Sequence, residues 1–571
     1  MPEMVLPGVY IEVRPEGLII PGQVTVGNIG IVGTASKGKI GEPILLGSYA
    51  DARQALGPYD PWIDGTQNEL TLVRALELAF STGATTVFAV RVADTSVDAA
   101  GAPTATAAVP ANTTLNSAGG ANVRLEALSP GTWGNDLKMN VWNAEQVAIV
   151  ENEQHAGGAA ITLSHTPIAK NASNRIRVNN RTLNIGYDDG AGHVDALQTG
   201  GVTVKLTDGT LTFPPGEAPS NTDTVYATYA VDKGSAFKVT LRLGRSNDEV
   251  YTVVNGSDLV TDINDPLKGS AWVKATGLAN AGEALMKSAA IDAFTPFFGG
   301  RNGEDAGVSD YEAGLDVLLD QNAHIIIAAG KDEDFGNALD RHCQKASTDA
   351  IKHDCVAIVG SKQFSSSVTL DTILGHTLDS DRVVFVTPGI KTTDAAATPP
   401  VSVTLPGAYT AAAVAGLLAS FPPHISLTNK VLPVDGLETK FDATELTQLL
   451  LARVVPIESR QGFHIVRGIT TSTNTAWKQI TTRRIVDYAK FGVRSAADPY
   501  IGLLNNERVR GALRTTINSF LAEMVNDEML ISYDLNVTAT RQQEIQGIVQ
   551  VTMVLRPVFS IDFIKVTMFL G

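Results

Sequence analysis

The C-terminal segment of the chain is written in a two-residue rhythm. Ile548, Val549, Val551, Met553, Val554 and Leu555 run up to Arg556-Pro557. Beyond that break, apolar residues from Val558 to Leu570 alternate with Ser560, Asp562, Lys565 and Thr567. Such alternation is the mark of a half-buried strand. The expected strand over residues 558–570 has no hairpin partner after it. Pro7-Gly8-Val9-Tyr10-Ile11-Glu12-Val13 predicts a second short strand, broken off by Arg14-Pro15-Glu16-Gly17. A lone strand carries unpaired N–H and C=O groups, and these invite pairing with another chain. The alternative is that each end adds an edge strand to its own domain.

Between these ends the period changes. Residues 24–32 read as a strand, residues 67–80 as a helix with Leu70, Val73, Leu76, Leu78 and Ala79 on its apolar face, and residues 86–92 as a strand. The order recurs with strands at 323–329, 355–359 and 382–386 and helices at 333–352 and 409–419. Alternation of this kind predicts an α/β layer around a mainly parallel sheet. Residues 96–300 interrupt it. An Ala/Thr/Gly/Asn-rich stretch at 99–121 precedes short strand candidates at 202–206, 225–229 and 237–243. Turn formers separate these, among them Asp188-Asp189-Gly190, Asp208-Gly209 and Pro214-Pro215-Gly216. Helical signal returns at 279–290.

Two helices are expected in the C-terminal region. One covers about 479–490. The other starts near Asn506 and carries Val509, Leu513, Ile517, Phe520, Leu521 and Met524 on one stripe, with Arg508, Arg514 and Asn518 opposite. Strands at 530–537 and 548–555 follow. The fold class is therefore α/β with α+β character in several domains: an N-terminal β-arm (1–20), a core (21–95 and 301–452), a β-rich inserted outer domain (96–300), a C-terminal inner domain (453–556) and a C-terminal β-arm (557–571).

Length and composition fit this partition. The 571 residues exceed one ordinary core, and 44% hydrophobic with 18% charged residues is the balance of a globular protein. Two cysteines provide no disulfide framework, and no basic-then-apolar leader is expected, so synthesis in a reducing cytoplasm is the default. Residues 409–421 form the longest apolar stretch and are too short for a bilayer span. The net charge of −16 argues against nucleic acid as a partner. Charge is uneven, however. Residues 453–571 carry 14 Lys and Arg against 10 Asp and Glu, leaving 30 basic and 50 acidic residues elsewhere. A mildly basic region on an acidic body predicts two surfaces with different surroundings.

Three chemical signals fail on inspection. Gly33-Thr34-Ala35-Ser36-Lys37-Gly38-Lys39-Ile40 nearly matches a phosphate-binding loop, but Ile40 replaces the metal-reaching Ser or Thr, and Gly41-Glu42-Pro43 starts a helix poorly. His342, Cys343, His353 and Cys355 fit no zinc spacing, so no metal is expected. Asp332, Glu333 and Asp334 follow a strand where α/β enzymes place catalytic groups, yet the helix dipole accounts for them equally well. No nucleophile elbow, His-Glu-x-x-His pair or dinucleotide fingerprint is present. No enzyme activity and no cofactor are expected.

A set of short motifs in fixed order carries a family likeness. These are Pro7-Gly8-Val9-Tyr10-Ile11-Glu12, Ile31-Val32-Gly33-Thr34-Ala35-Ser36-Lys37-Gly38, Thr132-Trp133-Gly134-Asn135-Asp136-Leu137, Phe298-Gly299-Gly300-Arg301-Asn302-Gly303 and Pro406-Gly407-Ala408-Tyr409 with Val414-Ala415-Gly416. They continue from Gly462 through Arg483-Arg484 and Asp498-Pro499 to Arg556-Pro557 and Phe563-Ile564. In these the chain resembles the tail sheath proteins of contractile phage tails and related contractile injection machines, over about 1–95 and 298–571.

The resemblance implies a structural homo-oligomer: stacked six-fold rings in a helical sheath around a tail tube, which contracts to drive the tube through a target envelope. It implies tube, baseplate and tail terminator proteins as partners, no membrane insertion, and residence in a virion tail assembled in the host bacterial cytoplasm. It further implies terminal arms that cross to neighbours, with Val9, Tyr10, Ile11 and Val13 at one end and Ile561, Phe563, Ile564 and Val566 at the other as anchors. Arg508, Arg510 and Arg514, supported by Arg483, Arg484 and Lys490, are the expected tube-facing set. Two other readings stay open: an α/β enzyme with a β-sandwich substrate-binding insertion, and a receptor-binding tail component.

Overall fold

A computed structural model describes residues 27–63, 70–196, 198–303 and 305–569. The expected N-terminal arm, with Val9, Tyr10, Ile11, Val13 and its 14–17 hinge, lies outside the described residues. The chain divides into two compact units, one of Ser36–Gly38 with Thr95–Gly303 and the other of the remainder.

The larger unit is built on an eight-stranded sheet. Its order is Pro43–Leu46, Val87–Arg91, Ile29–Gly33, Ile325–Ala328, Val356–Gly360, Val383–Thr387, Val455–Ser459 and Phe463–Ile465. The inner strands are parallel, and each edge is an antiparallel strand. Strands such as IGIVG, VAIVG and VVFVT are buried at every position, as expected when helices cover both faces. Leu72–Ser81 and Gly407–Ala419 cover one face, and Val308–Leu318, Gly336–Ala346 and Ala443–Leu451 the other. Gly407–Ala419 is buried along nearly its whole length. It can be so because it is small: a Cβ at Gly416 would overlap the Ala79 carbonyl, and one at Gly360 the Gly407 carbonyl. The glycines of Pro406-Gly407-Ala408-Tyr409 and Val414-Ala415-Gly416 thus serve close helix–sheet and helix–helix packing.

Several elements differ from expectation. The helix expected over 333–352 is a short turn at Glu333–Phe335 followed by Gly336–Ala346. Val455–Ser459 and Phe463–Ile465, beyond the expected boundary at 453, belong to the core sheet. The helix expected over 279–290 is irregular backbone; its Ala/Leu/Met content raised helix propensity, but Asn122 draws the segment in by donating to the Asn280 and Glu283 carbonyls.

The second unit is mostly β, with two cores. One lies between the Asn112–Ser117, Gly120–Ala127 and Val273–Gly277 strands and the sheet containing Leu137–Asn143 and Phe237–Leu243. The other lies between the sheet containing Ala148–Ala156 and Thr224–Val231 and the sheet containing Asn184–Asp188 and Gly201–Lys205. The two motifs flanking this unit in the sequence meet within it. Asn135 both donates to the Gly300 carbonyl and accepts from its N–H, and Asn302 Oδ1 accepts from the Thr132 N–H.

Candidate functional site

The chain ends in a small α+β assembly. Helices Ile480–Ala497 and Glu507–Asn526 pack through Tyr488 stacked on Phe520 at 5.8 Å, and Gly492 leaves the room that Phe520 fills. Asn506 caps the second helix by accepting from the Val509 N–H. On these helices lies an antiparallel hairpin of Leu530–Thr538 and Gln550–Pro557. Its inner face, Tyr533, Leu535 and Val537 with Val551 and Leu555, joins the apolar cluster around Ile517, Leu521 and Met524. A two-stranded ribbon is marginal alone, so this packing holds it. Among the described residues the hairpin has two strands only, and both outer edges are unpaired. Beneath the Gln550–Pro557 edge runs a groove of about 370 Å³ lined by Val486, Ala489, Val493, Met553 and Leu555, with Lys490 and Arg494 also on its wall.

The first helix is bound to the core sheet by charge. Arg382 donates to Asp487 from both terminal nitrogens (2.9 and 3.2 Å), to Asp354 and to the Cys355 carbonyl. Arg483 bridges Asp381 at 2.9 Å and Asp487 at 2.7 Å, with its guanidinium over the Trp477 ring. Burial works against the Arg382 cation, but Asp487 more than compensates and holds its pKa above the ordinary value. Arg484 donates to the Phe421 and Pro422 carbonyls just beyond helix Gly407–Ala419, where the helix dipole is negative. Burial lowers its pKa to about 10.

These contacts correct one expectation: Arg483 and Arg484 are buried structural cations and are absent from the exposed basic surface. Lys490 is part-exposed and paired with Asp354. Arg510 is engaged by Glu544 at 3.0 Å and by Asn505. Arg508 and Arg514 are exposed on the second helix. Alternation in the sequence could not distinguish these arginines, because the partners of the buried ones, Asp381, Phe421 and Pro422, lie far away along the chain.

Beyond Pro557 the described residues, as far as Phe569, form no regular element and pair with no strand. The polarity of this segment is reversed relative to its own body. Asp562 turns inward, its side chain 6% exposed; its carboxylate accepts from Arg467 Nε at 2.7 Å, Gln479 Nε2 at 3.0 Å and Thr428 Oγ1 at 3.2 Å, and it lies 2.6 Å from Arg467 Nη2 in an ion pair. Ser560 is tied to Gln479 through its N–H and carbonyl. The apolar residues turn outward: Ile561 is 77% exposed, Phe563 80%, Ile564 82%, Val566 72%, Met568 84% and Phe569 92%. Among them, Phe563 has its ring beside the Arg467 guanidinium.

The other candidate chemistry is structural. Asp332 caps the turn that Glu333 and Asp334 enter, and Glu333 and Asp334 accept from Lys362. Cys343 and Cys355 are both buried; the hydrogen bond from Cys343 holds the pKa of Cys355 below its ordinary value, while burial raises that of Cys343. Among the described residues no cluster of three His, Cys, Asp or Glu could hold a metal ion. Gly33 leads into a turn and then strand Pro43–Leu46, so no helix directly follows the loop, and the start of helix Leu72–Ser81 nearby donates to the Thr34 carbonyl and hydroxyl.

The mixed α/β fold of this chain is shared with solved sheath tail proteins. The solved sheath tail protein of Listeria innocua superimposes with a TM-score of 0.57 at 14% identity, covering 95% of each chain. That of Desulfitobacterium hafniense gives 0.56 at 13%, covering 96% of this chain and all of the other. Residues 304–471 match the phage tail sheath protein central domain and residues 472–571 the phage tail sheath C-terminal domain. The tail sheath protein of Bacillus phage SP01 is 24% identical over 556 residues, 94% of this chain and 91% of that one. Residues 304–571 thus carry the central and C-terminal domains of the phage tail sheath family, whose members are structural proteins.

Proposed function

We infer that copies of this chain polymerise into a helical sheath of stacked six-fold rings around a tail tube, and that contraction of the sheath drives the tube through a target envelope. The observation that carries this reading is the reversed polarity of the C-terminal arm beside an incomplete hairpin. A segment that hides Asp562 and exposes Phe563, Ile564, Val566, Met568 and Phe569 has its apolar partner elsewhere. Strand addition to the free Gln550–Pro557 edge of a second copy satisfies both: main-chain hydrogen bonds close the ladder, and alternate side chains enter the groove. The contact is heterologous, so repetition extends into an open helix. The N-terminal arm, with Val9, Tyr10, Ile11 and Val13, has the same sequence character and serves as the second crossing strand.

Arg508 and Arg514 are the tube-facing candidates, with Arg510 and Lys490 at the margin of that surface. Exposed cations hold weakly and are screened by salt, which suits a sheath that must slide along its tube. The energy of contraction then resides in subunit contacts that exchange as bodies rotate, with no catalytic step. Assembly in the host cytoplasm, attachment to a baseplate, closure by a tail terminator and residence in the virion tail complete the reading.

Electron microscopy of the purified chain tests it. Hollow helical tubes are expected, and a chain lacking residues 563–571 is expected to fold and remain monomeric. Tubes from the truncated chain would overturn the crossing of the C-terminal arm.

A further inference from the structure

Residues 558–562 occupy a decisive position. They leave the hairpin at Pro557, where Val558 donates to the Met529 carbonyl, and are then held on the body by Ser560 and Asp562. Local preference alone favours another path. A strand followed by a short link and a second amphipathic strand closes into a meander, and four linking residues suffice. That return would lay Ile564, Val566 and Met568, which share one face of an extended chain, against the apolar side chains Val486, Ala489, Val493, Met553 and Leu555 of this chain's own groove, whose wall also carries Lys490 and Arg494. A tethered strand competes at millimolar effective concentration, far above that of any free copy. A chain that lends its arm needs something to forbid the return.

We propose that the Asp562 anchor is that device: Arg467, Gln479 and Thr428 hold Asp562 against the body, block the antiparallel return of residues 563–569 onto their own hairpin, and so commit them to a second copy. The inference rests on the strand-lending reading above and adds how self-pairing is excluded. Three features support it. The carboxylate receives three hydrogen bonds and pairs with the Arg467 guanidinium in a nearly closed site, unlike a surface ion pair. Its donors come from three separate segments of the body, so the anchor fixes position as well as charge. Every residue from Phe563 to Phe569 is exposed, so the attachment ends with Asp562 and the Phe563 ring. The lent segment is then seven described residues, with a reach of about 23 Å at 3.3 Å per residue. Asp562 is a positioning residue in this scheme.

The test uses the full chain carrying Val566→Cys and Met553→Cys, oxidised with diamide; Cys343 and Cys355 are buried and do not compete. With the anchor intact, links form between chains and yield a covalent ladder. Asp562→Ala, and separately Arg467→Met, which leaves the arm sequence untouched, are expected to shift the links to within one chain. Both are also expected to raise the concentration needed for polymerisation, measured by sedimentation, at least tenfold. Should either variant fail to fold by circular dichroism, Asp562→Asn is read in the same way. Anchor variants that polymerise at the original concentration, or that lose polymer without gaining the within-chain link, overturn the inference. Links confined within single chains when the anchor is intact would instead overturn strand lending itself.

Discussion

The eight-stranded sheet and the terminal hairpin are both amphipathic β-structure, yet only one is complete. The sheet closes each edge with a short antiparallel strand, Pro43–Leu46 on one side and three-residue Phe463–Ile465 on the other. Short edge strands and proline are ordinary ways to discourage pairing with foreign chains. The hairpin is less protected: its edges are eight and nine residues long, its one proline, Pro557, stands at the very end of a strand, and a groove lies open beside that strand. Self-sufficiency in the body and deliberate incompleteness at the tip are what a subunit needs to stay folded while it exchanges neighbours.

One substitution made in both regions breaks or sharpens that contrast most strongly. Ile358 is wholly buried in the sheet, and Ile564 is 82% exposed on the arm. Ile358→Asp is expected to unfold the body, since an unpaired buried carboxylate costs more than about 4 kcal/mol. Ile564→Asp is expected to change the stability of the monomer, read from its urea midpoint, by no more than about 0.5 kcal/mol, while abolishing polymer in sedimentation. Loss of monomer stability from Ile564→Asp would mean the arm is packed at home, and the contrast would fail.

The sequence showed one side of this contrast better than the other. Continuous apolar runs at residues 323–329, 355–359 and 382–386 marked buried parallel strands, because strands covered on both faces need no alternation. The alternation from Val558 to Leu570 was equally visible, but it did not show where each face goes: Asp562 is inside, whereas the apolar residues as far as Phe569 are outside together with Lys565 and Thr567. Period-two patterning shows that a strand has two faces without showing which body each one meets. The arginines failed for a related reason. Arg483, Arg484 and Arg508 look alike on their helices, and only distant partners distinguish a buried cation from an exposed one.

The seam that joins the two regions offers a smaller effect. Asp487 accepts from both Arg382 and Arg483 with only 11% of its side chain exposed. Asp487→Asn is expected to destabilise the body by about 3–5 kcal/mol, because it leaves buried guanidinium charge uncompensated. Asp534→Asn on the hairpin, whose pair with Arg556 is exposed on both sides, is expected to cost no more than about 1 kcal/mol. Urea midpoints of the two variants measure the difference. Equal effects would show that the seam is no more buried in energy than the hairpin rim.

Acid should act on the body through His324. Burial, with the nearby Arg484 and His353 adding like charge, depresses its pKa to about 4, and its Nδ1 accepts from the Asn28 N–H, a bond that only an unprotonated nitrogen can receive. In the unfolded chain the ring takes its proton near 6.5. As pH falls from 6.5 towards 4, the unfolded state binds the proton and the folded state does not, so stability drops across that window and levels off below it. The full loss is about 3 kcal/mol, at about 1.4 kcal/mol for each tenfold weakening of proton affinity. Comparing urea midpoints at pH 7 and pH 4.5 for the natural chain and for His324→Gln isolates this contribution, since every other titrating group is common to both. The substitution is expected to flatten the dependence in the body while leaving arm-dependent polymerisation at pH 7 unchanged. An unaltered slope would mean that His324 reaches water and that this part of the body is less closed than the sheet beside it.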